Sequence, residues 1–205
     1  MIITSIVPIT KSRYRITLED GSEFVLYKRE VRKWQLREGE ELSGQGEQAI
    51  MEDILPKRAK LRSMNLLKTR DYTKKQMTDK LRQGGYPEEI ITQALSYVES
   101  YGYINDERYA RSYIEYHMQD RSRIRIEQDL YKKGIDKALI SRCFDQLQEE
   151  GQSIDEFALI RKLFQKRNYQ PEEASYEERQ KMYAFLYRKG FRQDVISRAL
   201  LLDIT

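Results

Sequence analysis

The sequence has little of what several classes of protein need. Its single cysteine, Cys143, cannot form a disulfide within the chain, which fits a reducing compartment. No apolar run approaches the roughly 20 residues that a membrane-spanning helix requires. The opening residues, MIITSIVPITKSRYR, lack the positive leading region and the small-residue cleavage site of a secretory signal. We therefore expect a cytoplasmic protein that has no membrane partner.

Motifs of enzymes and metalloproteins are also missing. His117 is the only histidine and there is no cysteine pair, so the usual zinc ligand set is not present. Gly44 and Gly46 do not form a phosphate-binding loop, because they lack its lysine and its structural context. No carboxylates recur at a spacing that defines a general acid and base. The sequence therefore predicts neither a catalytic site nor a cofactor.

What the sequence does contain is an internal repeat. Residues 121–151, RSRIRIEQDLYKKGIDKALISRCFDQLQEEG, read as two short helices joined at Gly134. Their apolar pattern occurs again 49 residues earlier and 56 residues later. The three sets are Met77, Leu81, Tyr86, Ile90, Ile91, Ala94 and Leu95; Ile126, Leu130, Ile135, Leu139, Ile140, Cys143 and Phe144; and Met182, Leu186, Phe191, Val195, Ile196, Ala199 and Leu200. Such a period is typical of a repeat architecture, so we predict three copies of one helical unit.

The small residues of the repeat have predicted structural roles. Gly85, Gly134 and Gly190 follow the first helix of each pair, where a left-handed C-cap costs glycine least. Cys143 takes the position of two alanines, which predicts a small buried residue rather than a nucleophile.

Capping signals mark where helices begin. Three pairs match the capping-box pattern, in which Ser or Thr is followed three positions later by Glu or Gln. They are Thr73 and Gln76, Ser153 and Glu156, and Ser175 and Glu178. Asn105 is the predicted N-cap of the first helix of the second repeat. Pro56 is expected to break or to start a helix.

The first 45 residues differ from the rest. A β-branched segment, an alternating segment and a third apolar segment, separated by turn residues that include Asp20 and Gly21, predict a strand followed by a hairpin. Val31, Trp34 and Leu36 predict a short helix that covers this sheet. The glycine-rich and glutamate-rich stretch REGEELSGQGEQ resembles a linker.

These patterns predict a mainly α fold. Three tandem three-helix repeats form an elongated, curved array, preceded by a small N-terminal β extension. The predicted boundaries are residues 1–45 for the extension with its short helix and linker, 46–103 for repeat 1, 104–152 for repeat 2 and 153–205 for repeat 3.

Positive charge is concentrated in one part of the chain. Residues 57–83 hold 10 basic and 2 acidic side chains, although the whole chain has a net charge of only +4. The basic residues are Lys57, Arg58, Lys60, Arg62, Lys68, Arg70, Lys74, Lys75, Lys80 and Arg82. This local field attracts phosphate or an acidic protein surface, so the block is a candidate contact site. The alternative is that part of the set is ordinary solvated charge, because these positions cannot all face one way on helices.

A second basic cluster and a group of tyrosines each allow two interpretations. Arg121, Arg123 and Arg125, continued by Lys132 and Lys133, are either a partner contact or are neutralised by Glu127 and Asp129. Six tyrosines fall between positions 97 and 116. Aromatic rings beside cations can stack on unpaired bases, but Tyr109, Tyr113 and Tyr116 also fit one helical stripe, and we favour packing.

Three segments resemble the signature of the RecX family, regulators of the bacterial recombinase RecA. They are GYINDERYA at residues 102–110, followed by Tyr113 and RSRIRIEQDLYKKGI; TKKQMTDKLRQGGY at residues 73–86; and YAFLYRKGFRQDVISRAL at residues 183–200. The resemblance covers roughly residues 50–205. It implies three tandem three-helix units, no catalysis, and binding along the groove of the RecA filament on single-stranded DNA, where the family restrains recombinase and ATPase activities.

Two functions follow as hypotheses. The first is a monomeric, non-enzymatic modulator whose basic face docks on a recombinase–DNA filament and inhibits its recombinase, ATPase and coprotease activities. The second is a regulator that acts on DNA directly, because two short helices around a glycine also describe a helix-turn-helix. The three copies share no polar recognition side chains, which favours the first hypothesis.

Overall fold

The computed structural model describes residues 1–200, and the last five residues of the predicted third repeat lie outside the described part. The chain divides into two compact units, Met1–Asn105 and Asp106–Thr205, which we call unit 1 and unit 2. Most of the described residues are helical, and a small antiparallel sheet opens unit 1. The predicted mainly α fold with N-terminal strands is confirmed.

Three strands form the sheet and are hydrogen-bonded in chain order. They are β1 (Ile3–Thr10), β2 (Arg13–Leu18) and β3 (Glu23–Tyr27). The alternation on β2 places Ile16 and Leu18 in the core. Gly21, with a φ of +81°, makes the tight turn into β3. The predicted strand, hairpin and turn are therefore correct.

The predicted covering helix is shorter than expected. Helix α1 (Lys28–Lys33) includes Val31 but ends before Trp34 and Leu36. Gln35 has a φ of +49°, which is incompatible with continuing the helix, so the chain turns there.

The prediction that residues 37–48 form a linker is wrong. The N–H of Ile3 donates to the carbonyl oxygen of Glu40 at 3.0 Å, and the N–H of Gly39 donates to the carbonyl oxygen of Ile3 at 2.8 Å. Leu42 is buried in the core of unit 1. Helix α2 (Gly44–Gln48) then begins, with Ser43 as its N-cap. Glycine and glutamate suggest a solvated connection, but the backbone pairs with β1 and one leucine anchors it.

A continuous helical stretch follows α2. Residues Ala49–Ile54 are π-helical and lead into α3 (Leu55–Leu67). The N–H of Leu55 bonds to the carbonyl oxygen of Ile50, five residues back. Pro56 lies in the first turn of α3. Its ring would clash with a carbonyl of a regular preceding turn, and the wider π turn relieves this clash, so Pro56 starts α3 without breaking the stretch.

The sheet and the first repeat share one core in unit 1. Helix α3 packs against α5 (Glu88–Ser100), with α4 (Lys74–Gln83) beside them. Phe24 and Leu26 of β3 lie in the same cluster as core residues of these helices. The N–H of Val25 also donates to the carbonyl oxygen of Gly85 at 3.1 Å. The strands and the first repeat therefore share one hydrophobic core.

Unit 2 contains the second and third repeats. Its described helices are α6 (Asp106–His117), α7 (Arg123–Lys132), α8 (Lys137–Glu149), α9 (Glu156–Arg167), α10 (Tyr176–Arg188) and α11 (Gln193–Ala199). Each repeat has its own apolar cluster, and Ile154 packs against both clusters. The hydroxyl of Ser122 also donates to the carbonyl oxygen of Lys189 at 2.8 Å, which joins α7 to the end of α10.

The same turn ends the first helix of each predicted pair. Gly85, Gly134 and Gly190 have φ of +79°, +88° and +85°, in the left-handed region. The N–H of the next residue reaches back to the carbonyl oxygen five positions earlier, which is the Schellman motif. That next residue, Tyr86, Ile135 or Phe191, is buried each time. The repeated pattern thus encodes a turn that returns an apolar side chain to the core.

The predicted helix starts are mostly correct. Capping boxes form at Thr73 with Gln76 and at Ser175 with Glu178, and α6 begins directly after Asn105. Ser153 is not a cap. Asp155 takes that role in α9, and a carboxylate oxygen of Glu156 instead accepts the N–H of Arg123 at 3.2 Å. The contact between two repeats therefore overrides the local signal.

Candidate functional site

Arg58 is a structural residue of unit 1. Its guanidinium pairs with the carboxylate of Glu30 and donates to the carbonyl oxygen of Val25 at 3.2 Å. It also lies 4.5 Å from the ring centroid of Tyr27. The side chains of Arg58 and Glu30 are only 19% and 10% exposed. These contacts hold α3 against β3 and α1, so Arg58 is occupied within unit 1 and is not a candidate contact residue.

Four cations of the block at residues 57–83 form exposed ion pairs. Lys57 pairs with Asp53, Lys74 with Glu99 at 3.0 Å, Lys75 with Asp79 at 2.8 Å, and Arg82 with Glu88 at 2.7 Å. The hydrogen bond from Arg82 lowers the pKa of Glu88. Such surface pairs contribute only about 0–1 kcal/mol each, so a partner's anion can replace the internal carboxylate at little cost.

The other cations of the block have no carboxylate within ion-pair distance among the described residues. They are Lys60, Arg62, Lys68, Arg70 and Lys80. Lys60 and Arg70 instead lie over the rings of Tyr97 and Tyr72, at 5.1 Å and 4.5 Å from their centroids. Together with the four paired residues, these five make up what we call the α3–α4 basic surface.

The basic surface is not a single helix face. On α3, Arg62 lies about 140° around the helix axis from Lys57, given about 100° for each residue. Leu61, between them, is 62% exposed. The surface therefore wraps around the solvent side of α3 and continues into α4, and its exposed leucine offers an apolar contact among the cations.

The second predicted cluster is largely neutralised within unit 2. Arg121 donates to the carboxylate of Asp129 at 2.7 Å and to the hydroxyl of Tyr113 at 2.9 Å, and Arg125 lies 3.4 Å from the same carboxylate. Arg123 pairs with Glu127 at 2.8 Å. These distances favour neutralisation by acidic neighbours over a partner contact.

The two lysines of that cluster differ from each other. Lys133 lies over the rings of Tyr109 and Tyr113, at 5.9 Å and 5.4 Å from their centroids. Lys132 is exposed on the last turn of α7. The structure thus brings Lys133 together with the tyrosines and leaves Lys132 at the surface.

The tyrosines are less buried than the stripe interpretation predicts. Tyr109 and Tyr113 stack with centroids 6.3 Å apart and are half-buried, but Tyr116 is 80% exposed. Packing is therefore correct for the first two and wrong for the third. Tyr101 and Tyr103 are exposed as well, a feature that the sequence pattern does not reveal.

Cys143 is a buried core residue, as predicted. It lies in the apolar cluster of the second repeat, and burial raises the pKa of its thiol. Among the described residues, no group of three or more His, Cys, Asp or Glu side chains could hold a metal ion. Within residues 1–200, no helix combines the length and the apolar character needed to cross a membrane.

Comparison with protein families gives three matches along the chain. The first, second and third three-helix domains of RecX match residues 59–97, 105–143 and 154–200. A regulatory protein RecX from Caldanaerobacter subterraneus subsp. tengcongensis is 31% identical over 202 residues, which are 98% of each chain. Another from Legionella pneumophila is 33% identical over 137 residues, which are 66% of this chain and 88% of the relative.

Solved structures agree with these matches. A crystal structure of regulatory protein RecX aligns with a TM-score of 0.61 at 25% identity, over 97% of this chain and 98% of that one. A crystal structure of RecX from Lactobacillus salivarius aligns with a TM-score of 0.58 at 26% identity, over 72% of this chain and 95% of that one. The predicted tandem three-helix units are confirmed, and the chain belongs to the RecX family of regulatory proteins.

Proposed function

We propose that this chain is a non-enzymatic regulator of the recombinase RecA. It binds the filament that RecA forms on single-stranded DNA and inhibits the recombinase, ATPase and coprotease activities of that filament. Membership of the RecX family supports the regulatory role, because the relatives are named regulatory protein RecX. The filament as target is an inference from the family resemblance and from the charge of unit 1.

The α3–α4 basic surface is the observation that carries this proposal. Five of its nine cations have no carboxylate partner among the described residues, and the remaining four hold theirs in exposed pairs. A nucleoprotein filament presents phosphates and acidic side chains, which such a local field attracts. The surface is thus suited to bind an extended anionic partner.

Inhibition of this kind needs no reacting group. Several modest contacts on one folded unit add together, because the first contact holds the others close to their partners. The bound regulator then occupies filament surface that strand exchange or nucleotide turnover requires.

A charge-reversal variant tests the surface. Arg62→Glu, Lys68→Glu and Lys80→Glu together remove three cations that have no internal carboxylate partner among the described residues. We expect the concentration that half-inhibits ATP hydrolysis by RecA on single-stranded DNA to rise about tenfold or more, equivalent to about 1.4 kcal/mol. The dependence of binding on salt should weaken by about 0.7 in log–log slope for each lost phosphate contact.

The matched control places the same charge change in unit 2. Lys162→Glu, Lys166→Glu and Lys181→Glu replace exposed lysines on α9 and α10. If this variant loses inhibition as strongly as the unit 1 variant, the effect comes from net charge and the α3–α4 basic surface is not the contact.

The alternative function, direct regulation through a helix-turn-helix, makes a different prediction. Such a protein binds one duplex sequence far more tightly than random duplex. Similar affinity for random duplex and for single-stranded DNA, together with preference for DNA-bound over free RecA, would count against it.

A further inference from the structure

Three tyrosines in unit 1 form a continuous row of rings, which we call the tyrosine ladder. It consists of Tyr97 on α5, Tyr101 at the end of α5, and Tyr103 in the following turn. The centroids of Tyr97 and Tyr101 are 5.0 Å apart with the ring planes tilted by 56°, whereas those of Tyr101 and Tyr103 are 5.8 Å apart with only 18° between the ring planes. Tyr101 is 62% exposed and Tyr103 is 43% exposed. The outer part of the ladder therefore presents aromatic surface to solvent.

The backbone fixes the ladder in place. The N–H of Gly102 donates to the carbonyl oxygen of Glu99 at 2.8 Å, and the N–H of Tyr103 donates to the carbonyl oxygen of Val98 at 2.9 Å. Gly102 has a φ of +68°, which completes a Schellman motif at the end of α5. This turn fixes the backbone of residues 101–103, so the near-parallel arrangement of the Tyr101 and Tyr103 rings is set before a partner binds.

The sister repeat shows that the turn does not require aromatic residues. Helix α8 ends in the same motif. The N–H of Gly151 donates to the carbonyl oxygen of Gln148 at 3.0 Å, and the N–H of Gln152 donates to that of Leu147 at 2.8 Å. Its glycine is flanked by Glu150 and Gln152, both exposed and polar. The same turn is thus built with polar side chains in repeat 2, so its backbone hydrogen bonds do not depend on aromatic residues beside the glycine.

Cations lie beside the ladder. The ammonium group of Lys60 is 5.1 Å from the ring centroid of Tyr97. Glu99, the acidic residue on this part of α5, is neutralised by Lys74 at 3.0 Å. A row of rings next to positive charge matches the surfaces that bind unpaired bases, in which each base stacks on a ring and the phosphates meet cations.

We propose that Tyr101 and Tyr103, the exposed rings of the tyrosine ladder, stack on unpaired bases of a nucleic acid strand, while Lys60 contacts the adjacent phosphate. This rests on the proposed function for the identity of the strand as part of the filament, and it names the residues of unit 1 that touch DNA directly. Stacking is tolerant of sequence because every base has an aromatic face, so no sequence preference is expected.

Strands with and without bases test the ladder on naked DNA. Affinity is measured by fluorescence anisotropy for oligothymidylate and for an abasic strand of the same length and charge. We expect the wild type to bind oligothymidylate more tightly. Tyr101→Gln with Tyr103→Gln, which imitates the polar turn of repeat 2, should weaken that binding about 5-fold to 150-fold and leave the abasic strand unaffected. Tyr101→Phe should retain the wild-type preference, because its ring remains.

The control is Tyr176→Ala, which removes a tyrosine that is 74% exposed in unit 2 and should change neither affinity. Equal wild-type affinity for the two strands, no measurable binding, or an equal loss on both strands in the double variant would overturn the stacking role. Normal DNA binding by the double variant, combined with lost binding to free RecA, would also overturn it, because the ladder is then a protein contact. RecA is absent from the DNA measurements, so their failure leaves inhibition of the filament to be judged separately by ATP hydrolysis.

Discussion

Arg58 and Lys57 are neighbours on α3 with different environments. Arg58 is held by Glu30, Val25 and Tyr27 in a mostly buried site, whereas Lys57 makes one exposed pair with Asp53. Removing one partner of a buried pair leaves an uncompensated charge, whereas losing an exposed pair changes little. The same residue class therefore has a structural role at one position and a solvent-facing role at the next.

Substitution of these two residues by methionine should separate the roles. We expect Arg58→Met to lower the free energy of unfolding by about 3–5 kcal/mol, because it strands Glu30, and Lys57→Met to lower it by no more than about 1 kcal/mol. Urea denaturation followed by the fluorescence of Trp34 measures both. Adding Glu30→Gln to Arg58→Met should recover much of the loss, since the amide can still accept the N–H of Tyr27 at the start of α1. Equal costs for the two single variants would contradict a structural role for Arg58.

The sequence alone does not distinguish Arg58 from the other basic residues of its block. Its carboxylate partner is 28 residues away and lies on another element. The exposure of Tyr101 and Tyr103 is equally invisible, because a tyrosine pattern is the same whether the rings face the core or solvent. Candidate contact residues can therefore be found from charge, but the tertiary contacts decide which of them are free to act.

The secondary-structure feature that recurs most clearly along the chain is the way its helices end. Glycines in the left-handed region end five of the described helices with the same pair of backbone hydrogen bonds, at Gly85, Gly102, Gly134, Gly151 and Gly190. Their surroundings differ. A Cβ at Gly85 would lie 2.1 Å from a methyl carbon of Val25, whereas one at Gly151 would meet nothing within 4 Å.

Alanine substitutions at these two glycines separate the cost of backbone strain from the additional cost of a steric clash. We expect Gly151→Ala to cost about 1–2 kcal/mol, since a left-handed conformation is the only penalty. Gly85→Ala should cost clearly more, because the sheet must also move away from the end of α4. Thermal unfolding monitored by circular dichroism provides the comparison. Similar melting temperatures for the two variants would show that β3 does not press on Gly85.

These elements are also where sequence patterns are most and least informative. The glycine and the buried residue after it are local features that recur three times, so they can be predicted. The path of residues 39–42 cannot, because it depends on backbone pairing with residues 1–3 and not on composition. Ser153 fails as a cap for a similar reason, since Glu156 is engaged by the N–H of Arg123 on another repeat.

For the whole molecule, the arrangement of apolar clusters defines what unfolds together. Unit 1 has one cluster that contains the sheet and the first repeat, and unit 2 has one cluster for each of its repeats, joined through Ile154. The single tryptophan, Trp34, lies in unit 1. Its fluorescence therefore reports on unit 1 alone, whereas circular dichroism reports on helices throughout.

Leu130→Asp should disrupt unit 2 selectively. Leu130 is fully buried in the second repeat, and an unpaired carboxylate there costs several kcal/mol. We expect loss of part of the helical circular dichroism and of inhibitory activity, while the urea transition of Trp34 stays near its wild-type midpoint. A fully helical and active variant would show that the assigned core position of Leu130 is incorrect.

The junction between β3 and the end of α4 has an evolutionary consequence. There the main chain of Val25 meets Gly85, and the guanidinium of Arg13 donates to the carbonyl oxygen of Gly84 at 2.8 Å. Loss of the amino-terminal strands would leave the carbonyl oxygens of Gly84 and Gly85 without these donors and would uncover apolar residues of the shared core. A shortened version of this chain would therefore need compensating substitutions at this corner of the first repeat to keep its stability.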